Sequence, residues 1–431
     1  MTFNVFTAVF TALFFLHHGF EYLLDVLQLR HLNRRRDKVP KHLEGKVDLA
    51  TIRKAVAYNK DKLKFKMVTT VFDIAALWIM LIFGFDYIDG LIAGMGMGPL
   101  VSGLLFFGVF GALGTLFALP VELYSTFVIE ARHGFNKQTL GGFVSDKIKN
   151  VIISIVMGAV MISLVLTLMK DGGDDWWVIA FVAVSLFQLL VTWLYPVVIM
   201  PLFNTFTEVP ADLSDEVAAL ASRVGFPLKC VFSMDGSRRS KHSNAFIIGL
   251  KGARKIVLYD TLIEEIERPR LIAVLAHELG HFKLKHLTRR LVFIFVSLFL
   301  MFFALSVMKH LDGLYTGLGF GRVTDHAALV VFSLMISEVI APFGWIMRIL
   351  SRRDERAADR FAVEATGNAE DLAEALITLN KQNLASPGSH PLYRHYHNSH
   401  PALRDRLKAI RAHAATLDLA AQEAKSETTA G

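Results

Sequence analysis

Seven apolar runs, at about residues 3–24, 67–86, 99–120, 151–169, 177–202, 290–308 and 327–350, constrain this chain of 431 residues more than any other feature. A helix needs about 20 mostly apolar residues to cross a bilayer, and each run approaches or meets that length. Hydrophobic residues make up 53% of the chain and the mean hydropathy is +0.43, more than a soluble domain carries. The expected fold class is therefore an α-helical integral membrane protein with about seven transmembrane helices.

Charge sets the orientation, because cytoplasmic loops collect Lys and Arg. Thirteen such residues, from Arg30 to Lys66, lie between the first two runs, which places that loop inside. The loop 87–98 has none, and "KDGGDD" at 170–175 and the segment 309–326 have few, so these fall outside. The organisation that follows is spans 1–5 with their loops at 1–202, a polar stretch at 203–289, spans 6 and 7 at 290–350, and a second polar stretch at 351–431. Both polar stretches face the cytoplasm and can form one domain. The first run lacks the basic start and small-residue cleavage site of a signal peptide and is read as a retained span. Only the tail after about residue 415 reads as frayed. The net charge of +7 is an anchoring signal, and no basic patch interleaved with aromatics suggests a nucleic-acid partner. With Cys230 as the single cysteine, an internal disulfide and a cysteine-based zinc site are both ruled out.

The chemistry concentrates in "LIAVLAHELGHFKLKH", residues 271–286. On a helix, positions i and i+4 lie on one face, so His277 and His281 can share a metal. Glu278 between them can act as a general base, the arrangement of an H-E-x-x-H zinc site. His286, at i+5, points elsewhere on a straight helix and is read as surface. A catalytic zinc site has three protein ligands and an open fourth position. The third is sought downstream in "SRRDERAADRFAVEATG", where Glu355 and Asp359 are four apart beside the small residues Ala357, Ala358, Ala362 and Ala365. Two readings stand for this segment: a helix that approaches closely enough for Glu355 to reach the metal and Asp359 to orient a ligating histidine, or an ordinary amphipathic helix with Asp354, Glu355 and Arg356 on its wet side.

Several stretches taken in order, "FVIEARHGFNKQT" (127–139), "PLFNTFTEV" (201–209), "MDGSRRSKHSNAFIIGL" (234–250), "LAHELGH" (275–281), "SRRDERAAD" (351–359) and "NSHPALRDRL" (398–407), give a chain that resembles the CAAX prenyl protease 1 family over nearly its whole length. The resemblance implies a water-filled chamber ringed by seven helices, with a gluzincin-like metalloprotease domain on the cytoplasmic side. It implies one Zn2+ per chain held by His277, His281 and Glu355, with Glu278 as general base and then general acid. Asp359 would support a ligand, His400 would donate to the oxyanion, and Arg406 would order the site. Read without the family, "HP" at 400–401 is only a helix start, and His390, His395 and His397 compete with His400.

"SNAFIIGL" (243–250) reads as a short strand, at a sheet edge or in a core. The resemblance implies that Asn244, Ala245 and Phe246 bind an extended peptide by strand addition. "HGFNKQT" and "PLFN" read as turns where a span leaves the membrane, and the resemblance implies that they frame the chamber entrance. Asp73, Glu338 and Gln188 sit within apolar runs and must meet water or interhelical partners. The expected function is a zinc-dependent membrane endopeptidase acting near the C-terminus of prenylated CAAX-type or other membrane-associated substrates. A membrane-protein quality-control protease of the heat-shock type is the alternative, and a transporter or receptor with structural zinc a remote one. The partners are then a peptide or protein substrate and the lipid bilayer. Ala402 replaces the second proline common after "HP". The ending "ETTAG" carries no dilysine-type retrieval signal, so a bacterial inner membrane is expected rather than the endoplasmic reticulum.

Overall fold

A computed structural model describes residues 1–248 and 254–430. Six helical stretches are long and apolar enough to cross a membrane. They are α2 (Leu49–Gly94), α3 (Pro99–Glu130), α4 (Leu140–Asp171), α5 (Trp176–Phe203), α8 (His286–Met308) and α9 (Asp325–Thr366). The first helix, α1 (Val5–Arg35), falls outside that measure because His17, His18, Glu21 and Asp25 interrupt its apolar run. It still packs with the others, burying Phe10 and Phe14 in one core with Phe85, Phe106 and Phe332. Asn4 starts α1 with a capping box, its side chain accepting from the backbone of Phe6 and Thr7.

In five of the six stretches only 6–11% of the apolar window is buried. So little burial leaves most of these apolar side chains accessible, as expected of helices whose outer faces meet lipid. Phe72, Phe117 and Leu186 belong to the exposed apolar surface. Glu338, expected to need a partner, is buried and meets His17 at 2.8 Å and His18 at 3.8 Å across the α1–α9 contact. Asp73 and Gln188 are exposed, and Gln188 accepts a backbone bond from the Thr192 hydroxyl one turn on.

Between α5 and α8 the chain builds a sheet and a helix pair. The strands β1 (Phe206–Glu208), β2 (Leu228–Met234), β3 (Ala245–Ile248) and β4 (Arg254–Tyr259) take the order β1-β2-β4-β3. Among the described residues β3 pairs only with β4, antiparallel, which makes it the outer strand of the sheet. Gly249 and Leu250 of the expected strand lie outside the described residues. Helices α6 (Ala211–Arg223) and α7 (Arg268–Lys283) pack on this sheet through Leu213, Val217, Leu275 and Leu279, joined by Ala362 and Val363 of α9. The remainder forms α10 (Ala369–Gln382), α11 (Pro391–His397) and α12 (Leu403–Ala430). The tail expected to fray after about residue 415 instead continues α12 to Ala430.

The contact that positions the site is the crossing of α7 and α9. A Cβ at Gly280 would sit 3.2 Å from the Ala358 Cα and 3.3 Å from its carbonyl oxygen, so glycine here is a condition of the crossing distance. Gly280→Val is expected to force the helices apart, costing about 1–3 kcal/mol by overpacking. A thermal-shift measurement on detergent-solubilised protein, together with its zinc content, checks this.

Candidate active site

Pro269 lies in the first turn of α7, and Leu271, Leu275 and Leu279 pack the helix into the core it shares with the sheet, leaving His277 and His281 one turn apart on the face toward α9. Their Nε2 atoms are 3.2 Å apart. Glu355 closes the group, with Oε2 3.4 Å from His277 Nε2 and Oε1 3.3 Å from His281 Nε2. Metal bonds of about 2.0–2.1 Å in a tetrahedron separate neighbouring donors by about 3.3 Å. The cluster therefore has the spacing of three ligands around a zinc-sized ion. Glu355 Oε2 is buried without a hydrogen-bond partner, an acceptor that a metal would satisfy. At His17, His18 and Glu338 the separations are 2.8 and 3.8 Å, the shorter a hydrogen bond between α1 and α9.

Carboxylates surround the histidines from behind. Asp359 Oδ1 lies 2.9 Å from His277 Nδ1, short but poorly aligned. Asp359 also receives both arms of Arg406, from Nε at 2.9 Å and Nη2 at 2.6 Å, and Arg406 Nη1 is 3.7 Å from Glu355. Burial opposes an imidazolium at His277, but the Asp359 and Glu355 carboxylates beside it outweigh burial and hold its pKa at about 9. The pocket thus favours positive charge where the three donors converge. Burial also raises the pKa of Glu278, whose carboxylate makes no hydrogen bond or ion pair among the described residues.

The wet-side reading of the downstream helix does not describe this segment: Asp354, Glu355 and Asp359 are all buried, and the exposed residues around them are Arg353, Arg356 and Arg360. His286 is likewise buried rather than surface. Helix α7 ends at Lys283, and Lys285 at φ 57° turns the chain so that His286 Nδ1 comes within 2.9 Å of His281 Nδ1. That bond engages the outer nitrogen of His281 and leaves Nε2 for the cluster.

Of the histidines between 390 and 400, His400 alone reaches the cluster, its Nε2 3.3 Å from Glu355 Oε1. Its Nδ1 is 2.9 Å from the Ser399 hydroxyl. Ala402, in place of a second proline, accepts the first backbone bonds of α12 from Asp405 and Arg406. Ala245 joins the core beside α7, while Asn244 accepts from the Tyr259 amide and so ends the ladder of β3 on β4.

Sequence reasoning missed how the outlying motifs join. Lys137 N donates to Arg239 O and Lys241 N to Phe135 O, tying "HGFNKQT" to "SRRSKHSN". Arg239 grips Asp146 at 2.8 and 3.1 Å and reaches Asn204 of "PLFN" at 3.1 Å. His242 stacks on Phe135 at 4.2 Å and approaches Glu130 at 3.5 Å. The signal was the density of Arg, Asn and His in loops, with nothing local to say that they pair with one another.

Two family models cover most of the chain: CAAX prenyl protease N-terminal, five membrane helices, over residues 28–205, and peptidase family M48 over residues 208–414. The CAAX prenyl protease 1 homolog of Arabidopsis thaliana is 36% identical over 401 residues, 91% of this chain and 94% of that one. The Homo sapiens homolog is 33% identical over 430 residues, covering 89% and 90% of the two chains. The crystal structure of S. mikatae Ste24p superposes with a TM-score of 0.88 at 29% identity, covering 95% of this chain and all of that one. Matched by both family models and 36% identical to a relative over most of both chains, this chain belongs to the CAAX prenyl proteases of peptidase family M48.

Proposed function

We propose that the chain is a zinc-dependent membrane endopeptidase that cleaves near the C-terminus of prenylated CAAX-type or other membrane-associated substrates. The observation that carries this is the trio of donors 3.2–3.4 Å apart on α7 and α9. His277, His281 and Glu355 hold one Zn2+, with His286 and Asp359 behind the two imidazoles. When bound, the ion supplies Lewis acidity, polarising the scissile carbonyl and lowering the pKa of water from about 15.7 toward 7.

Glu278, in no ion pair, accepts the proton of the attacking water and passes it to the leaving amine. His400 donates from Nε2 to the oxyanion, and the Ser399 hydroxyl on Nδ1 keeps that proton in place. Arg406 and Asp359 hold the buried charges in register. The outer side of β3 takes the substrate as an added strand, with Asn244, Ala245 and Phe246 along it. The basic loop from Arg30 to Lys66 supports a site on the cytoplasmic side. The named relatives are eukaryotic and do not support the bacterial inner membrane.

Strand addition reads backbone and leaves room for the second reading, turnover of unmodified membrane proteins. Cleavage of a farnesylated CAAX peptide and of its unprenylated twin separates the two: preference for the farnesylated peptide supports the first, equal rates the second.

Elemental analysis is expected to find one zinc per chain in wild type and in Glu278→Gln, with hydrolysis in that variant down by at least about 10²-fold. His281→Ala is expected to lose both zinc and activity. Turnover by zinc-replete Glu278→Gln would overturn the assignment. Because Glu278 acts ionised and its pKa is raised, activity is expected to fall on acidification while the pH is still above the ordinary glutamate value of about 4.3, read from kcat/KM against pH. Arg406→Ala removes both bonds that the buried Asp359 carboxylate receives and leaves it only His277 beside it, costing about 3–5 kcal/mol. A lowered Tm with weakened zinc retention is the expected result.

A further inference from the structure

A cavity of about 920 Å3 opens beside the site, and Ser399, His400 and Pro401 form one of its walls. Its other walls bring together Arg35 and Lys41 from the first cytoplasmic loop and Arg394 and Arg404 from either side of His400. Not one Asp or Glu lines it among the described residues. Arg394 and Arg404 lean on the same Asp405, at 3.3 Å from Arg394, so one carboxylate serves two guanidinium groups. Arg35 and Lys41 have no carboxylate partner among the described residues. His31 and His42, also in the wall, are held below the usual imidazole pKa by burial, which leaves the Arg and Lys side chains as the fixed charges.

We propose that this cavity binds the free C-terminal carboxylate of the peptide being cut, with Arg35 and Lys41 as the cations that receive it. The inference rests on the peptidase reading and deepens it. Unpaired cations in a concave wall focus the potential on an incoming anion, and a guanidinium matches a carboxylate with two parallel bonds. His400 belongs both to this wall and to the cluster around Glu355, 3.3 Å away, so a peptide spanning them puts its terminus in the cavity when an upstream bond reaches the site. The enzyme then measures its cut from the chain end. A lipid phosphate would satisfy the same cations, and Arg35 ends the first membrane helix.

The test compares a peptide acid with its C-terminal amide, in wild type and in the double variant Arg35→Gln, Lys41→Gln. Loss of one charge-assisted pair corresponds to about tenfold. Wild type is expected to favour the acid about tenfold in kcat/KM, through KM, and the double variant to cleave both forms at the amide's rate. Equal cleavage of acid and amide by wild type, or a preference that survives in the double variant, would overturn the inference. Inhibition by phosphatidylglycerol that the double variant relieves, without any acid preference, would assign the cavity to lipid instead. Calorimetric titration of Glu278→Gln with a tripeptide acid and its amide decides the matter without turnover: tighter binding of the acid, lost in the double variant, is the supporting result, and equal binding overturns it. Absence of Glu278-dependent cleavage of either peptide would count against the peptidase reading, while the titration still judges the cavity.

Discussion

The site depends on burying more negative than positive charge between two helices that nearly touch. Gly280 and Ala358 let α7 and α9 cross closely enough for Glu355 to meet two imidazoles, and Asp359 lies one turn behind. Buried carboxylates are costly unless paired. Arg406 meets part of that demand with its two bonds to Asp359. The rest is directed at the point where three donors converge, which is why the same arrangement suits a divalent cation and raises the pKa of His277.

Much of this was legible in the sequence because its signals are local or periodic. Apolar length marked the spans, and the i, i+4 spacing put His277 and His281 on one face of a helix. Small residues beside Glu355 announced a close crossing but did not exclude an amphipathic helix. Only the burial of Asp354 and Glu355 separated the two readings. His286 was misplaced because the reading assumed a straight helix, whereas the left-handed turn at Lys285 brings it back beneath His281. No propensity rule places such a conformation at a lysine.

The loop motifs were illegible for a different reason. Arg239, Asp146 and Asn204 are far apart in sequence, and each alone reads as a solvated polar residue. Their pairing joins the ends of α3, α4 and α5 to the loop ahead of β3, so that the outer strand is held in register with the membrane helices. An outer strand is a liability in a soluble protein. Here it adjoins the helix carrying the histidines, and anchoring its loop from the membrane side limits how far it can shift.

Glu338 and Glu355 belong to the same rod. They stand 17 positions apart on α9, about 25 Å at helical rise, one fixed to α1 within the bilayer and the other to the histidine pair, with the short turn Ala341–Phe343 around Pro342 between them. A helix answers a thicker or thinner bilayer by tilting or bending, and in α9 the turn at Pro342 is where such a bend would separate the motion of Glu338 from that of Glu355. That one turn therefore stands between the membrane-side contact of Glu338 with α1 and the place of Glu355 beside the histidine pair.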